Sequence, residues 1–370
     1  MPITSDTALS PALARFRDAI TQAASNRTPL TLRGGGTKDF YGRAPAPDGT
    51  VLDTRDCAEL VITARSGTPL VEIEAALAEH RQMLAFEPPH FAADGKQATV
   101  GGAFSAGLSG PRRQSVGALR DFVLGAVVMD GRGDMLNFGG QVMKNVAGYD
   151  VSRLMAGALG TLGLIVQVSL KVLPTEIVIY AALRFAMPQA EAIDTLNRWG
   201  GQPLPIAASA WIDGALWVRL SGADAAVRAA IAKLGGERVD DAEGAAFWRD
   251  LREQSHAFFA RAVQGSLPLW RIALPPATPP LALGHASADV QLVEWGGGQR
   301  WWIDTGNTSA DAIRDAARKA GGHATLFRNG DRASDIFTPV AAPLMAVHKR
   351  LKDSFDPHGI FNPGRLYSAF

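Results

Sequence analysis

In the first half of the chain, apolar positions cluster in short runs with a strand-like texture. Pro29 to Leu32, Glu59 to Ala64, Phe122 to Asp130 and Leu164 to Leu173 predict four β-strands. One helix interrupts them. Thr68 and Pro69 supply its N-cap and first position, Glu72 and Glu74 complement its positive end, and Leu70, Ile73 and Leu77 form the buried stripe before His80. Ser10-Pro11 followed by Leu13, Phe16 and Ile20 predicts a further capped amphipathic helix near the amino terminus.

After Pro174 helices and strands alternate, and one order of elements occurs twice. The first pass reads strand Val178 to Phe185, helix Gln189 to Trp199, strands Ile206 to Ile212 and Leu216 to Leu220, helix Ala223 to Leu234, and a short strand near Arg238. The second reads strand Leu269 to Leu274, a short helix near Leu281, strands Val290 to Glu294 and Arg300 to Asp304, helix Ala310 to Ala320 closed by Gly321, and strand His323 to Phe327. Each pass has the order of a ferredoxin-like unit, and an amphipathic helix from Gly244 to Ala260 joins the two. A helix from Pro343 to Phe355 and an extended tail close the chain. The expected fold is α+β, with an antiparallel sheet at 175–339 between a glycine-rich domain at 1–174 and a carboxy-terminal segment at 340–370.

Composition narrows the function classes. The 370 residues carry 37 basic and 36 acidic side chains, a balance that argues against a disordered tail protein and a strongly basic nucleic-acid binder. A single cysteine, Cys57, excludes an internal disulfide, an iron–sulfur cluster ligated by this chain alone, and a zinc site with two thiolates; it fits a reducing, cytoplasmic setting. Leu159 to Leu173, the longest apolar stretch, is broken by Gln167, Ser169 and Lys171, so no membrane span is expected and membrane attachment would come through a partner. Glycine is in excess, at 39 of 370 residues.

Those glycines fall in three blocks. Arg33-Gly34-Gly35-Gly36-Thr37 follows a strand directly, and such a turn can wrap a phosphate with unobstructed backbone amides, although a plain glycine turn is the simpler reading of this block alone. The continuation from Lys38 through Phe40 to Gly42 is a poor helix start, and no G-x-x-x-x-G-K-[ST] run exists, so the nicotinamide Rossmann and P-loop readings both fall. In the second block, Thr99-Val100-Gly101-Gly102-Ala103 leads to Ser105-Ala106-Gly107 and Ser109-Gly110, then Gly117 and Asp121; small residues there let a flat or charged ligand approach the backbone. The third block runs from Lys144 through Gly148-Tyr149-Asp150 and Arg153 to Gly160, Gly163 and Ile165.

Together the blocks resemble the flavin-binding (PCMH-type) domain of the vanillyl-alcohol-oxidase family, whose members hold extended FAD between two α+β lobes. R-G-G-G-T and T-V-G-G-A-F-S-A-G are similar to the family's pyrophosphate and isoalloxazine loops, and G-Y-D…L-G-T-L-G-L-I to a later strand against the cofactor. Phe361-Asn362-Pro363-Gly364-Arg365-Leu366 is similar to a carboxy-terminal signature that returns to the flavin. The resemblance therefore implies a two-lobed FAD domain with a cap. It implies FAD contacts at Arg33, Gly34, Gly35, Gly36, Thr37, Lys38, Thr99, Val100, Gly101, Gly102, Ser105, Ala106, Gly107, Gly110 and Asp121. Further contacts are implied at Gly148, Tyr149, Gly160, Gly163, Ile165, Asn362 and Arg365. K-N-V-A-G-Y-D-V-S-R-L and G-G-G-T-K-D-F-Y-G are most similar to FAD-binding subunits of bacterial glycolate oxidases, which work beside a second flavoprotein subunit and an iron–sulfur subunit.

Two departures from the family pattern carry expectations. Many relatives attach flavin through a histidine after the glycine turn; Thr37 and Lys38 stand there, so non-covalent FAD is expected, and Cys57 is read as a buried small hydrophobe. Relatives that oxidise 2-hydroxy acids also carry a histidine- and acid-rich cluster in the cap. The seven histidines here, at 80, 90, 256, 285, 323, 348 and 358, show no H-x-H or H-E-x-x-H spacing, and no metal site is expected. The resemblance thus implies that this chain holds FAD and relays electrons from hydroxyacid oxidation to iron–sulfur centres, while the companion flavoprotein oxidises glycolate or a similar acid. The alternatives are a stand-alone hydroxyacid dehydrogenase with His323, His348 or Lys144 as base, and a degenerate flavin fold kept as an assembly scaffold. Trp295, Trp301 and Trp302 are read as sheet aromatics rather than as pocket walls.

Overall fold

The computed structural model describes residues 61–91, 97–140, 150–175, 179–283, 288–306, 308–331 and 335–369, with short stretches of backbone before residue 60. The chain divides into two compact units, Met1–Leu60 and Val61–Phe370. In the first, strands β1 (Leu30–Arg33) and β2 (Thr50–Asp53) pair in parallel, Leu30 opposite Thr50. Helical backbone occurs at Asp18, Ala19, Gln22, Ser25 and Asn26; the expected helix start at Ser10 lies outside the described residues, as does Cys57.

In the second unit a five-stranded sheet has the order β3 (Leu60–Arg65), β7 (Leu164–Pro174), β5 (Val123–Met129), β6 (Met135–Gly139), with β4 (Gln82–Met83) also pairing β7. Val123, Ala126, Val128, Val168, Leu170 and Val172 are buried in it, and the Thr63 and Ser169 hydroxyls hydrogen-bond across strands at 2.8 Å. Helix α1 (Leu70–Glu79) buries Leu70, Ile73 and Leu77 as its periodicity predicts. Its N-cap is Pro69 rather than the expected Thr68, and no side chain caps it. Pro69 bridges to Thr99 and the Leu70 N–H donates to the Ala98 carbonyl at 2.8 Å, so tertiary pairing satisfies a helix-end donor that a hydroxyl would otherwise take.

The second sheet holds both predicted passes. Its order is β11 (Glu237–Arg238), β8 (Ile179–Ala186), β10 (Ala215–Gly222), β9 (Ile206–Ile212), β13 (Gln291–Glu294), β14 (Gln299–Ile303), β12 (Leu269–Ala273), β15 (His323–Arg328). Numbered within each pass, the strands run 4-1-3-2 and then 2-3-1-4, the ferredoxin-like order and its mirror, joined by the antiparallel pair of β9 and β13. Helices α5 (Gln189–Gly200) and α6 (Asp224–Leu234) belong to the first pass and α9 (Ala310–Lys319) to the second.

Two expectations fail here for local reasons. The short helix near Leu281 is absent, and residues 279–283 are irregular. Pro275, Pro276, Pro279 and Pro280 supply no N–H and clash with a preceding turn, which outweighs the apolar spacing that suggested a helix. The single joining helix is two, α7 (Asp241–Glu253) and α8 (Ala257–Gln264), broken where Gln254 turns left-handed with φ +55° and the His256 ring accepts from the Phe258 N–H at 3.2 Å. Trp301 and Trp302 are core residues as expected, and the Trp301 ring meets Phe259 and Phe327 edge-on.

Candidate functional site

The second glycine block folds as a short helix, α2 (Val100–Ala106), with the Thr99 hydroxyl accepting from the Gly102 N–H at 3.2 Å. Its first N–H groups are all engaged: Val100 donates to the Thr68 carbonyl, Gly101 to Ser66 and Ala103 to Thr99. This helix end therefore presents no free donors to a diphosphate. Glycines in the block serve two different needs. A Cβ on Gly101 would lie 2.5 Å from Ser66 Cβ, and one on Gly110 2.4 Å from the Glu87 carbonyl, so these two admit close packing of protein on protein. Gly107 ends the helix at φ +65°, with Gly157 so near that a Cβ would approach its Cα to 2.9 Å. Gly102 differs: it is exposed, and a Cβ there would meet only the Thr99 hydroxyl at 3.3 Å.

Gly102 lines a cavity of about 300 Å³ with Thr99, Ala103, Ala106, Leu108 and the loop from Pro89 to Phe91. A second cavity of about 390 Å³ shares Ala106 and Leu108 and continues to Leu159, Arg271, Phe327, Gly364 and Arg365. Small side chains along α2 thus form one wall of a trough that reaches the second sheet at β12 and β15.

Three of the predicted segments meet at this trough. The third block exits helix α4 (Val151–Met155), and its backbone docks on α2: Gly157 N–H donates to the Phe104 carbonyl at 3.0 Å and Leu159 N–H to Ser105 at 2.9 Å. The carboxy-terminal signature joins them, because Asn362 Nδ2 donates to the Leu159 carbonyl at 2.8 Å. A Cβ on Gly160, at φ +72°, would come within 2.9 Å of that amide. Other predicted positions sit back from the cavities. Val100 is buried, Gly163 packs on Val128, and Ile165 is buried within β7. Asp121 Oδ2 accepts the Ala118 N–H at 2.8 Å. Arg33 is described as backbone of β1 only; Gly34, Gly35, Gly36, Thr37, Lys38, Lys144, Gly148 and Tyr149 lie outside the described residues.

Sequence reasoning missed the charged groups that the second sheet brings to the trough. Arg271 faces it from β12, where register sets Arg271 opposite Thr325 and Ala273 opposite His323. Burial, with Arg113 alongside and Glu294 opposing, lowers the Arg271 guanidinium to about 10, so it stays cationic at neutral pH. Its Nε donates to Gln299 Oε1 at 2.6 Å, and both it and Arg113 pack on the Trp295 ring, with guanidinium carbons 5.3 and 4.3 Å from the ring centre. Beside it, burial raises the Glu294 carboxyl against hydrogen bonds from Trp301 Nε1 at 2.6 Å and Gln299 Nε2 at 3.0 Å. Burial and Arg271 both lower His323, leaving it neutral at pH 7. The available signal was an arginine inside the apolar strand Leu-Trp-Arg-Ile-Ala.

The carboxy-terminal helix α10 (Ala342–Phe355) fixes the signature through one buried lysine. Lys352 Nζ donates to the Thr161 carbonyl at 2.7 Å, the Phe361 carbonyl at 2.8 Å and Asp356 Oδ2 at 2.6 Å. Asp356 in turn accepts the Ile360 and Phe361 N–H groups at 3.1 and 2.7 Å.

The sequence matches the FAD binding domain family over residues 13–139. Glycolate oxidase subunit GlcE of Escherichia coli (strain K12) is 46% identical over 361 residues, spanning 95% of this chain and 96% of that protein. The chain belongs to the GlcE family. This GlcE-family chain is a flavoprotein, and FAD is its cofactor. It is also 35% identical to D-lactate dehydrogenase of Archaeoglobus fulgidus over 42% of this chain and 36% of that one. Glycolate oxidase subunit GlcD of Bacillus subtilis is 31% identical over 42% of this chain and 34% of its own. An alkyldihydroxyacetonephosphate synthase structure superimposes on the GlcE-family chain with a TM-score of 0.52 over 94% of this chain and 75% of that one; at 15% identity the likeness is one of fold. No helix among the described residues is long and apolar enough to cross a membrane.

The trough fits the cofactor. Its α2 wall is built from glycine and alanine, which admit a flat ring to van der Waals contact, and cations stand at Arg271 and Arg365.

Proposed function

We propose that this chain is the FAD-binding subunit of a complex that oxidises glycolate or a similar small 2-hydroxy acid and delivers the electrons to a partner iron–sulfur subunit. The observation that carries the reading is the likeness to GlcE along nearly the whole of both chains, together with the meeting of α2, the Leu159–Gly160 turn and the Asn362–Arg365 signature at one trough. Bound FAD supplies hydride acceptance and one-electron release. Thr99, Gly102, Ala103 and Ala106 would wall its ring system without a covalent bond, and Arg365 would place positive charge beside it. The Arg33 to Lys38 turn would hold the diphosphate. In this organisation residues 1–174 and 340–370 form the cofactor domain and 175–339 the cap. With one cysteine, the chain hands its electrons to clusters carried by another subunit. The companion flavoprotein performs substrate oxidation, since the histidines of this chain show no H-x-H or H-E-x-x-H spacing.

Arg271 favours a second reading. A buried guanidinium on the trough suits a substrate carboxylate, and neutral His323 lies on the neighbouring strand, as a stand-alone hydroxyacid dehydrogenase with a histidine base would require. Anaerobic titration with glycolate separates the two. The isolated yellow chain is expected to keep its flavin absorbance, while the complex co-purified with its partners bleaches. Bleaching of the isolated chain transfers catalysis to the Arg271 site, and a colourless chain that takes up no FAD leaves only a scaffold.

A further inference from the structure

A further cavity lies away from the trough. It measures about 600 Å³ and is walled by β8, β10, α7 and Glu87. That is the size of an ordinary small-molecule site. Its wall is apolar where Ala182, Gly244, Ala245 and the Trp248 indole line it, and these small side chains leave the space beside the helix unfilled.

Its polar floor is built and buried. Arg219 is 8% exposed, and its terminal nitrogen donates to both Glu87 oxygens at 2.7 and 2.9 Å. The Arg112 N–H donates to Glu87 at 2.9 Å and the Arg112 guanidinium stands 3.5 Å from the same carboxylate. Burial pushes the Glu87 carboxyl up, but Arg219 and Arg112 outweigh it and hold it below its usual value, so it is ionised. Arg219, itself a buried cation, thus shares the floor with an ionised carboxylate. The remaining charges on the rim cancel: Arg249 pairs with Asp250, Arg252 with Glu253, and Asp241 with Arg238.

Two donors on this wall lack acceptors. Arg219 Nε and Trp248 Nε1 have no hydrogen-bond partner among the described residues, both residues are more than nine-tenths buried, and the guanidinium carbon lies 5.4 Å from the indole ring. Buried donors left unmade are costly, and a pair this close can be satisfied by one anionic group. A cationic donor, a neutral donor beside it and an apolar wall specify the missing ligand by chemistry.

We propose that this cavity is a binding site for an organic monocarboxylate with an apolar body, its carboxylate accepting from Arg219 Nε and Trp248 Nε1 and its body lying along Ala182, Gly244 and Ala245. The site is independent of the flavin reading, since none of these residues lines the trough. Glu87 nevertheless begins the loop whose Pro89 to Phe91 segment walls the trough, so occupancy has a short covalent path to the cofactor side.

Calorimetric titration of the full FAD-loaded chain with benzoate tests it, with benzamide as the uncharged isostere and acetate as the carboxylate without a body. Benzoate is expected to bind, and benzamide and acetate at least tenfold more weakly. Ala245→Phe fills the cavity from an exposed helix position, leaves the ion trio intact, and is expected to abolish benzoate binding at unchanged flavin content. Trp248→Phe keeps the ring, removes one donor, and is expected to weaken binding roughly fivefold. Absence of benzoate binding to the unsubstituted chain overturns the proposal. So does binding that survives Ala245→Phe, which would place the anion at Arg271 or elsewhere, and so does equal binding of benzamide.

Discussion

Replacing Ala106 with phenylalanine is expected to strip FAD from the protein while leaving it folded. Ala106 lines both cavities of the trough, at the end of α2 where small residues form the wall, so six extra ring carbons project into the space assigned to the flavin. Overfilling a packed contact costs about 1–3 kcal/mol, and the upper figure corresponds to a loss of affinity on the order of 100-fold. Absorbance at the flavin bands after gel filtration measures retention, and thermal unfolding of the cofactor-free forms measures the fold. Gly101→Ala is the contrasting substitution. Its Cβ would meet Ser66 at 2.5 Å, within protein packing, so it is expected to lower the melting temperature of the cofactor-free chain, whereas Ala106→Phe leaves it unmoved. Full flavin content in Ala106→Phe would move the cofactor out of this trough.

That contrast shows where the sequence was readable and where it was not. Periodicity placed the strands of both passes and all but one of their helices, because strands such as Ile206–Ile212 and helices such as Gln189–Gly200 carry their pattern within a single element. The sheet joining the passes through β9 and β13 depends on a long-range register that no local pattern encodes. The glycine blocks announced close approach but not what approaches: at Gly101 and Gly107 the neighbour is protein, and at Gly102 it is open cavity. Arg271 and Arg219 escaped notice because each is one charged residue in an apolar strand, and its meaning comes from partners more than a hundred positions away or on another strand, such as Glu87 for Arg219. Family resemblance named Asn362 and Arg365; the lysine that holds their segment in place lies nine residues before the signature.

Lys352→Met is expected to release that segment and to cost about 3–5 kcal/mol of stability, the usual penalty for removing one partner of a buried ion pair. Lys352 and Asp356 are 3% and 1% exposed, and methionine retains the apolar stem while deleting three donors at once. The Asp356 carboxylate would remain buried without its cation, and the Thr161 and Phe361 carbonyls would each lose a donor. Because Thr161 follows the Gly160 turn on which Asn362 docks, the signature should become accessible to protease and flavin retention should fall with it. Acid provides a second readout. Burial raises the Asp356 carboxyl, but Lys352 and the Phe361 and Ile360 N–H groups outweigh it and hold it below the ordinary carboxylate value. A carboxyl depressed on folding stabilises above its unfolded value of about 3.9 and loses that contribution as the pH falls through its folded value. Denaturant melts from pH 5 downward should therefore show the unsubstituted chain losing stability more steeply than Lys352→Met. Parallel slopes, with the tail still protected, would mean that the lysine does not hold the carboxy terminus against the cofactor-side turn.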